Sequence, residues 1–187
     1  MDLERILYEQ YKMSGSDWKT SRSYFESETV KAKYFFLKQG KISSKLGFLK
    51  AGLLRSFFFN ENGDEITNHF FLPGNVVISI DSFNKQVPSL ESIVSVEDSE
   101  LLVISYASMT ELFKIVPVWR QIAKDVAEIK FNNLMNRSIR LQTLTANERY
   151  NLLLQNNPEI IQKVALKHIA SYLGIDIATL SRIRNRI

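Results

Sequence analysis

The chain has 187 residues, 24 of them lysine or arginine and 20 aspartate or glutamate, for a net charge of +4. It has no cysteine and only two histidines, His69 and His168, which excludes disulfides, cysteine-ligated zinc and iron–sulfur clusters and leaves little for a histidine metal site. The 45% apolar content is ample for packed cores, and no apolar run approaches the length of a membrane span, so no membrane partner is expected.

The chain opens on MDLERILYEQY, charged and helical in pattern rather than a signal peptide, so a cytoplasmic protein is expected. Residues 3–13 read as a short amphipathic helix, and 18–29 as its continuation or a loop. From about Lys31 to Ser105 the runs are rich in Phe, Val, Ile and Leu. They are broken by Gln39-Gly40, Asn62-Gly63-Asp64, Pro73-Gly74 and Glu97-Asp98. Asn60 to Asp64 between two apolar runs signals a hairpin. Short strands at this spacing predict an antiparallel sandwich or roll. The acidic cluster Glu97, Asp98 and Glu100 reads as a solvated turn.

After Ser105 the pattern turns helical. Tyr106 to Phe113 is one short helix, and Pro117 suits the first turn of the next. That helix runs without proline or glycine for roughly 25 residues, about 37 Å at 1.5 Å per residue, which is long for one face of a small domain. Ile122, Val126 and Ile129 form a stripe to cover the β-domain. Phe131, Leu134, Ile139 and Leu141 lie on others, one of which can face a second copy of the helix. Asn133 and Asn136 near that seam would weaken a dimer but fix its register. Thr145 and Glu148 then form a T-x-x-E capping box for a helix over 149–155, ended by Asn156-Asn157-Pro158.

The last residues, LKHIASYLGIDIATLSRIRNRI, hold two helical patterns meeting at Gly174. Ala170 is small enough for a helix crossing, and Gly174 tolerates positive φ at the turn. Ile175, Leu180 and Ile183 lock the second helix onto the first. Asp176 caps it, accepting from the N–H of Ala178 or Thr179. Thr179, Ser181, Arg182, Asn185 and Arg186 are left exposed, and such side chains bond phosphates and base edges. Two helices meeting at a glycine are also a common packing corner. Charge argues against that reading. Residues 140–187 hold seven basic and three acidic residues, whereas residues 1–139 hold seventeen of each. The whole excess lies with the motif, as phosphate neutralisation requires.

A β-roll, a long helix and a C-terminal helix-turn-helix, in this order, resemble the Crp–Fnr transcription regulators. RYNLLLQNNPEIIQKVALKHIASYLGIDIATLSRIR is especially similar to the cysteine-free members typical of Bacteroidetes, as are PSLESIVSVEDSELLVIS and LLRSFFFNENGDE. The resemblance covers nearly the full chain. It implies an α+β protein: a cyclic-nucleotide-binding-like antiparallel β-roll (double-stranded β-helix) over 1–115, a dimerisation helix over 116–143 and a winged helix-turn-helix over 144–187.

The resemblance also implies site residues. Arg182 matches the recognition-helix arginine that pairs with guanine. Thr179 matches a phosphate-binding threonine, Lys167 a phosphate-contacting position on the preceding helix, and Asn185 a position near the backbone. Ile177 and Ala178 stand where the type member has Arg and Glu, so its operator is not implied; their apolar contact with a thymine methyl is one way to read sequence. Implied partners are a palindromic double-stranded operator, a second copy of the chain, RNA polymerase and an unknown small-molecule effector, in the cytoplasm at the nucleoid.

On the effector side the family's Arg-Ser/Thr-Ala run aligns with Ser89-Leu90-Glu91, where no arginine stands, and the Gly-Glu pair is not evident in VVISIDSF. An unpaired Glu91 would repel a cyclic phosphodiester. Cyclic AMP is therefore not expected, an iron–sulfur cluster is excluded, and haem has only His69, which reads as a half-exposed strand residue. No Gly-rich phosphate loop, nucleophile elbow or metal-ligand spacing marks an enzyme, and Ser82 and Ser89 have no neighbouring histidine. The expected function is a homodimeric, sequence-specific DNA-binding regulator with recognition helix 177–187 in the major groove. Two alternatives are a ligand-binding or interaction module whose helical corner does not bind DNA, and a cyclic-nucleotide-responsive regulator with an altered pocket.

Overall fold

The computed structural model describes residues 3–185. Two helices come first, α1 (Leu3–Glu9) and α2 (Gly15–Arg22). The second opens at Ser14, whose hydroxyl accepts from the Asp17 N–H (3.0 Å). Eight strands follow: β1 (Glu26–Val30), β2 (Phe35–Leu37), β3 (Lys45–Ala51), β4 (Leu54–Phe59), β5 (Glu65–Phe71), β6 (Val76–Val77), β7 (Ser92–Ser95) and β8 (Ser99–Ser105). The short helix α3 (Ile80–Lys85) interrupts them. The strands form two antiparallel sheets in the orders β1-β8-β3-β6 and β2-β7-β4-β5. Leu49, Leu101 and Val103 of the first face Leu54, Phe71 and Ile93 of the second across a shared apolar core.

Two local features shape the roll. Gly52 has φ +98°, and a Cβ there would stand 2.6 Å from the Ser99 Cα, so only glycine lets the β3–β4 turn approach β8. In β4–β5 the register slips between Ser56, opposite His69, and Phe57, opposite Thr67. Asn68 is the extra residue of a bulge, and both Asn68 and His69 line the same cavity. The Asn60–Asp64 hairpin forms as expected, the Asn60 N–H donating to the Asp64 carbonyl.

The helical half comprises α4 (Tyr106–Ile115), α5 (Val118–Thr143), α6 (Ala146–Asn156), α7 (Pro158–Lys163), α8 (Leu166–Leu173) and α9 (Ile177–Arg184). The expected long helix is α5, 26 residues, with Pro117 at its N-cap. Trp119 and Ile122 bury its first turns among Leu7, Met13, Phe25, Leu46 and Leu112. Val126 packs partly against the same cluster. Ile129, expected on that covering stripe, is instead 55% exposed, because the helix by then has run past the core cluster. The capping box at Thr145 and Glu148 is complete. Pro158 does not merely end α6. It occupies N1 of α7, where its missing N–H costs nothing.

Candidate nucleic-acid interface and sensor cavity

The C-terminal helix-turn-helix is a three-sided packing problem solved around α8. Ile169, Ala170 and Leu173 are buried against Tyr150, Leu153, Ile160, Leu180 and Ile183. Gly174 takes φ +67°, and its N–H caps the Ala170 and Ser171 carbonyls. Asp176 then starts α9. Its carboxylate accepts from the Thr179 N–H (2.7 Å) and the Thr179 hydroxyl (2.8 Å), and these bonds hold its pKa below the usual range.

With Leu180 and Ile183 turned inward, Ile177, Ala178, Ser181, Arg182 and Asn185 share one exposed face of α9. Thr179 is half-buried at its flank, and Lys167 is exposed on α8. The Arg182 guanidinium folds back on its own helix, donating from Nη2 to Thr179 Oγ1 (2.9 Å). Asn185 is the C-cap, so α9 is shorter than the 177–187 expected. Arg186 lies outside the described residues. No strand follows Ser105 among the described residues, so the wing implied by the resemblance is not among them.

Not every basic residue of this segment is free for phosphate. Arg149 is a strut, donating from Nε to the Leu173 carbonyl (2.9 Å) and from Nη1 to that of Leu144 (2.5 Å). Lys163 pairs with Glu97 (2.7 Å). The acidic turn expected to be merely solvated thus holds ion pairs: Glu97 reaches α7, and Asp98 binds Lys31 (2.7 Å) and the Ala32 N–H.

The helix-turn-helix is clasped to the roll along β5. The Ser171 hydroxyl accepts from the Thr67 N–H (2.8 Å) and donates to the Glu65 carbonyl (3.2 Å). Phe70 and Tyr172 stack at 5.0 Å. Arg137 of α5 donates from Nη2 to the carbonyls of Thr67 (3.4 Å) and Tyr172 (3.1 Å), tying three elements together. Beneath the clasp, buried Arg55 binds Glu65, and His168 lies 3.8 Å from the same carboxylate. Sequence reasoning could not find this set, because its members are joined only by tertiary packing.

A cavity of about 860 Å³ opens between the roll, α5 and α6. Ser89 is buried on its wall, bonded to Ser79 and to the Glu91 carbonyl, while Leu90 is 76% exposed. Glu91 is not an unopposed charge, as the sequence implied. Lys130 of α5 faces it within electrostatic reach. Burial pushes Lys130 down to about 8, its ammonium donating to the Ile78 carbonyl (2.8 Å). Burial, then Lys130 and Arg137, push His69 down to about 4. Asn133 and Asn136, expected at the helix seam, also line this cavity. Among the described residues no group of three His, Asp or Glu could hold a metal, and no helix is long and apolar enough to cross a membrane.

The exposed side of α5 carries an apolar strip, whose Phe131 and Leu134 also border the cavity. Phe131, Leu134, Met135 and Ile139 are each about half exposed or more, at helical spacing along one side.

Residues 27–115 match the cyclic nucleotide-binding domain family. Among solved structures, the chain is similar to the c-di-GMP-responsive global regulator CLP of Xanthomonas campestris, at 15% identity over 92% of this chain and 91% of that one, with a TM-score of 0.74. A Eubacterium rectale protein assigned to the Crp/Fnr family of transcriptional regulators matches at 16% identity over 94% and 83%, TM-score 0.74. The catabolite activator protein of Thermus thermophilus matches at 20% identity over 96% and 85%, TM-score 0.59. No curated protein matches the chain in sequence. With its two-sheet roll matching the cyclic nucleotide-binding domain over residues 27–115, its long helix and its clasped helix-turn-helix, the chain has the fold of the Crp/Fnr transcription regulators it resembles.

Proposed function

We propose that the chain is a sequence-specific DNA-binding transcription regulator that works as a homodimer in the cytoplasm, at the nucleoid, and acts through RNA polymerase rather than by catalysis. Residues 1–115 are its sensor, 116–143 its dimerisation helix and 144–187 its reader. The observation that carries this reading is the exposed face of α9, where Arg182 stands among Ile177, Ala178, Ser181 and Asn185 while Leu180 and Ile183 anchor the opposite side. A packing corner has no need of an exposed arginine whose partners all lie on its own helix or at its cap. In the major groove Arg182 leaves Thr179 and donates twice to guanine, Thr179 and Lys167 bind phosphates, and Ile177 and Ala178 touch thymine methyls. With no arginine at 89–91, the sensor is not built to hold a cyclic nucleotide in the family's manner.

Selection from random duplexes is expected to return a palindrome with half-sites about one helical turn apart. Arg182→Ala is expected to cost roughly 1–3 kcal/mol on that site and to relax preference at one base pair of each half-site. Unchanged affinity and base preference would remove Arg182 from the interface. Affinity is also expected to fall steeply with salt.

The exposed apolar strip of α5 supports the dimer. Phe131 is 62% and Leu134 54% exposed, and two such helices side by side cover both. Leu134→Glu places like charges across that seam, and is expected to turn a dimer into a monomer in sedimentation and to abolish cooperative operator binding. A sedimentation profile identical to wild type would move the dimer contact elsewhere.

A further inference from the structure

Residues 31–60 hold six lysines and Arg55 and not one acidic residue, a concentration that the neutral total of residues 1–139 conceals. Three of these cations are paired: Lys31 with Asp98, Lys45 with Glu28 and Arg55 with Glu65. Lys33, Lys38 and Lys41 are exposed and make no ion pair among the described residues. Lys38, Lys41 and Lys45 border a second concavity, of about 270 Å³, walled by residues 35–38 and 41–45. The rest of its lining is mostly apolar. Phe36 and Leu37 are buried, while Phe35 and Ile42 keep 43% and 46% of their surface open. The Lys38 ammonium stands 5.1 Å from the centre of the Phe35 ring, and that of Lys45 5.2 Å from the Phe36 ring. Phe35 to Leu37 form β2, the outermost strand of its sheet, which among the described residues pairs with β7 alone. Lysines along an edge strand keep other strands off by charge, so they admit a strand that carries carboxylates. A guard alone has no need of an apolar hollow beneath it.

We propose that this surface docks an acidic, extended segment of a partner protein, which adds along the β2 edge, seats one apolar side chain in the hollow and pairs its carboxylates with Lys33, Lys38 and Lys41. Other anionic polymers fit less well. A single-stranded nucleic acid needs successive open aromatic faces; Tyr34 offers one, but Lys38 and Lys45 already lie against Phe35 and Phe36. An anionic membrane calls for apolar side chains that protrude together, whereas these line a concavity. In the order β2-β7-β4-β5, the docking edge and the strand clasped by the reader are opposite ends of one sheet, about 14 Å apart across three strand spacings. The segment therefore does not compete with α8 for β5.

The full-length chain is titrated, by fluorescence anisotropy, into a fluorescein-labelled peptide with a phenylalanine between two runs of acidic residues. Saturable binding is expected. The same peptide with serine in place of phenylalanine is expected to bind at least about fivefold more weakly, because the hollow is left unfilled. Lys38→Glu combined with Lys41→Glu is expected to weaken the parent peptide by at least about tenfold. Lys114→Glu combined with Lys124→Glu makes the same change in net charge away from β2, and is expected to stay within about twofold of wild type. All four lysines are exposed, so neither pair is expected to disturb folding, which urea midpoints check. Oligothymidylate and phosphatidylserine vesicles are titrated in parallel. Absence of saturable peptide binding, indifference to the phenylalanine, or equal loss in the two charge-reversed pairs would each overturn the proposal. So would an oligonucleotide or vesicle that binds more tightly than the peptide and is lost with Lys38→Glu and Lys41→Glu.

Discussion

Trp119→Ala is expected to destabilise the chain by about 3–5 kcal/mol, a large part of the roughly 5–15 kcal/mol that a domain of this size holds in reserve. Trp119 is 1% exposed at the root of α5. Its ring lies 5.4 Å from Phe25 and 6.1 Å from Phe48, so it joins the long helix to the roll. Its Nε1–H donates to Ser21 Oγ (2.8 Å), which ties in α2 as well. Truncation opens a cavity bordered by three elements that cannot collapse together, and removes a buried hydrogen bond. Trp119→Phe retains most of the ring and loses only that bond, and is expected to cost about 1–2 kcal/mol. Urea midpoints of the two variants separate packing from hydrogen bonding. A loss below about 1 kcal/mol for the alanine variant would mean that α5 is not rooted here.

Mild acid is expected to be the second large perturbation. The pKa of His69 is lowered from 6.5 to about 4, first by burial and then by the cations of Lys130 and Arg137. Between these values the unfolded chain takes up a proton that the folded chain refuses. Stability is therefore full above about pH 6.5, falls as the pH drops toward 4, and levels off below it. The full span is on the order of 3 kcal/mol for His69, with about 2 kcal/mol already lost by pH 5. His168 is also pushed to about 4, by burial and then by Arg55 against the opposing Glu65, and adds a loss in the same window. Asp98, Glu148 and Asp176 are held below their ordinary values by their hydrogen bonds. His69→Gln is expected to remove its own share of the fall in the urea midpoint between pH 7 and 5, leaving that of His168. An undiminished slope in that variant would place the acid sensitivity elsewhere.

Much of this architecture was legible where local chemistry decides it. The capping box at Thr145, the cap at Asp176, the left-handed Gly174 and the proline before α5 all act within a few residues, and each stands where the sequence put it. Pro158 was read as a stop because a proline after a helix and a proline at N1 of the next look alike. Ser14 is a helix cap with no apolar period behind it, so nothing in the sequence separates α2 from a loop or a continuation of α1. Ile129 repeats the spacing of Ile122 and Val126, yet spacing cannot say where the core beside a helix ends. The reader's exposed face was readable from the apolar positions opposite it. The clasp and the cavity were not. Ser171 and Thr67 are 104 residues apart, and Arg137 and Thr67 70, so nothing local joins them. Arg149 and Lys163 counted toward a basic surface in sequence, but folding spends both on internal partners.

The contact between Ser171 and β5 also bears on solubility. β5 is the last strand of its sheet, so its outer N–H and C=O groups have no neighbouring strand. The serine hydroxyl occupies the Thr67 N–H and the Glu65 carbonyl, and Arg137 covers the Thr67 carbonyl. Without that cover, β5 would present a row of unsatisfied backbone groups flanked by Ile66, Phe70 and Phe71, a template onto which another chain can add a strand. Ser171→Ala raises the helix propensity of α8 and leaves the exposed face of α9 untouched, yet it weakens the guard on this edge.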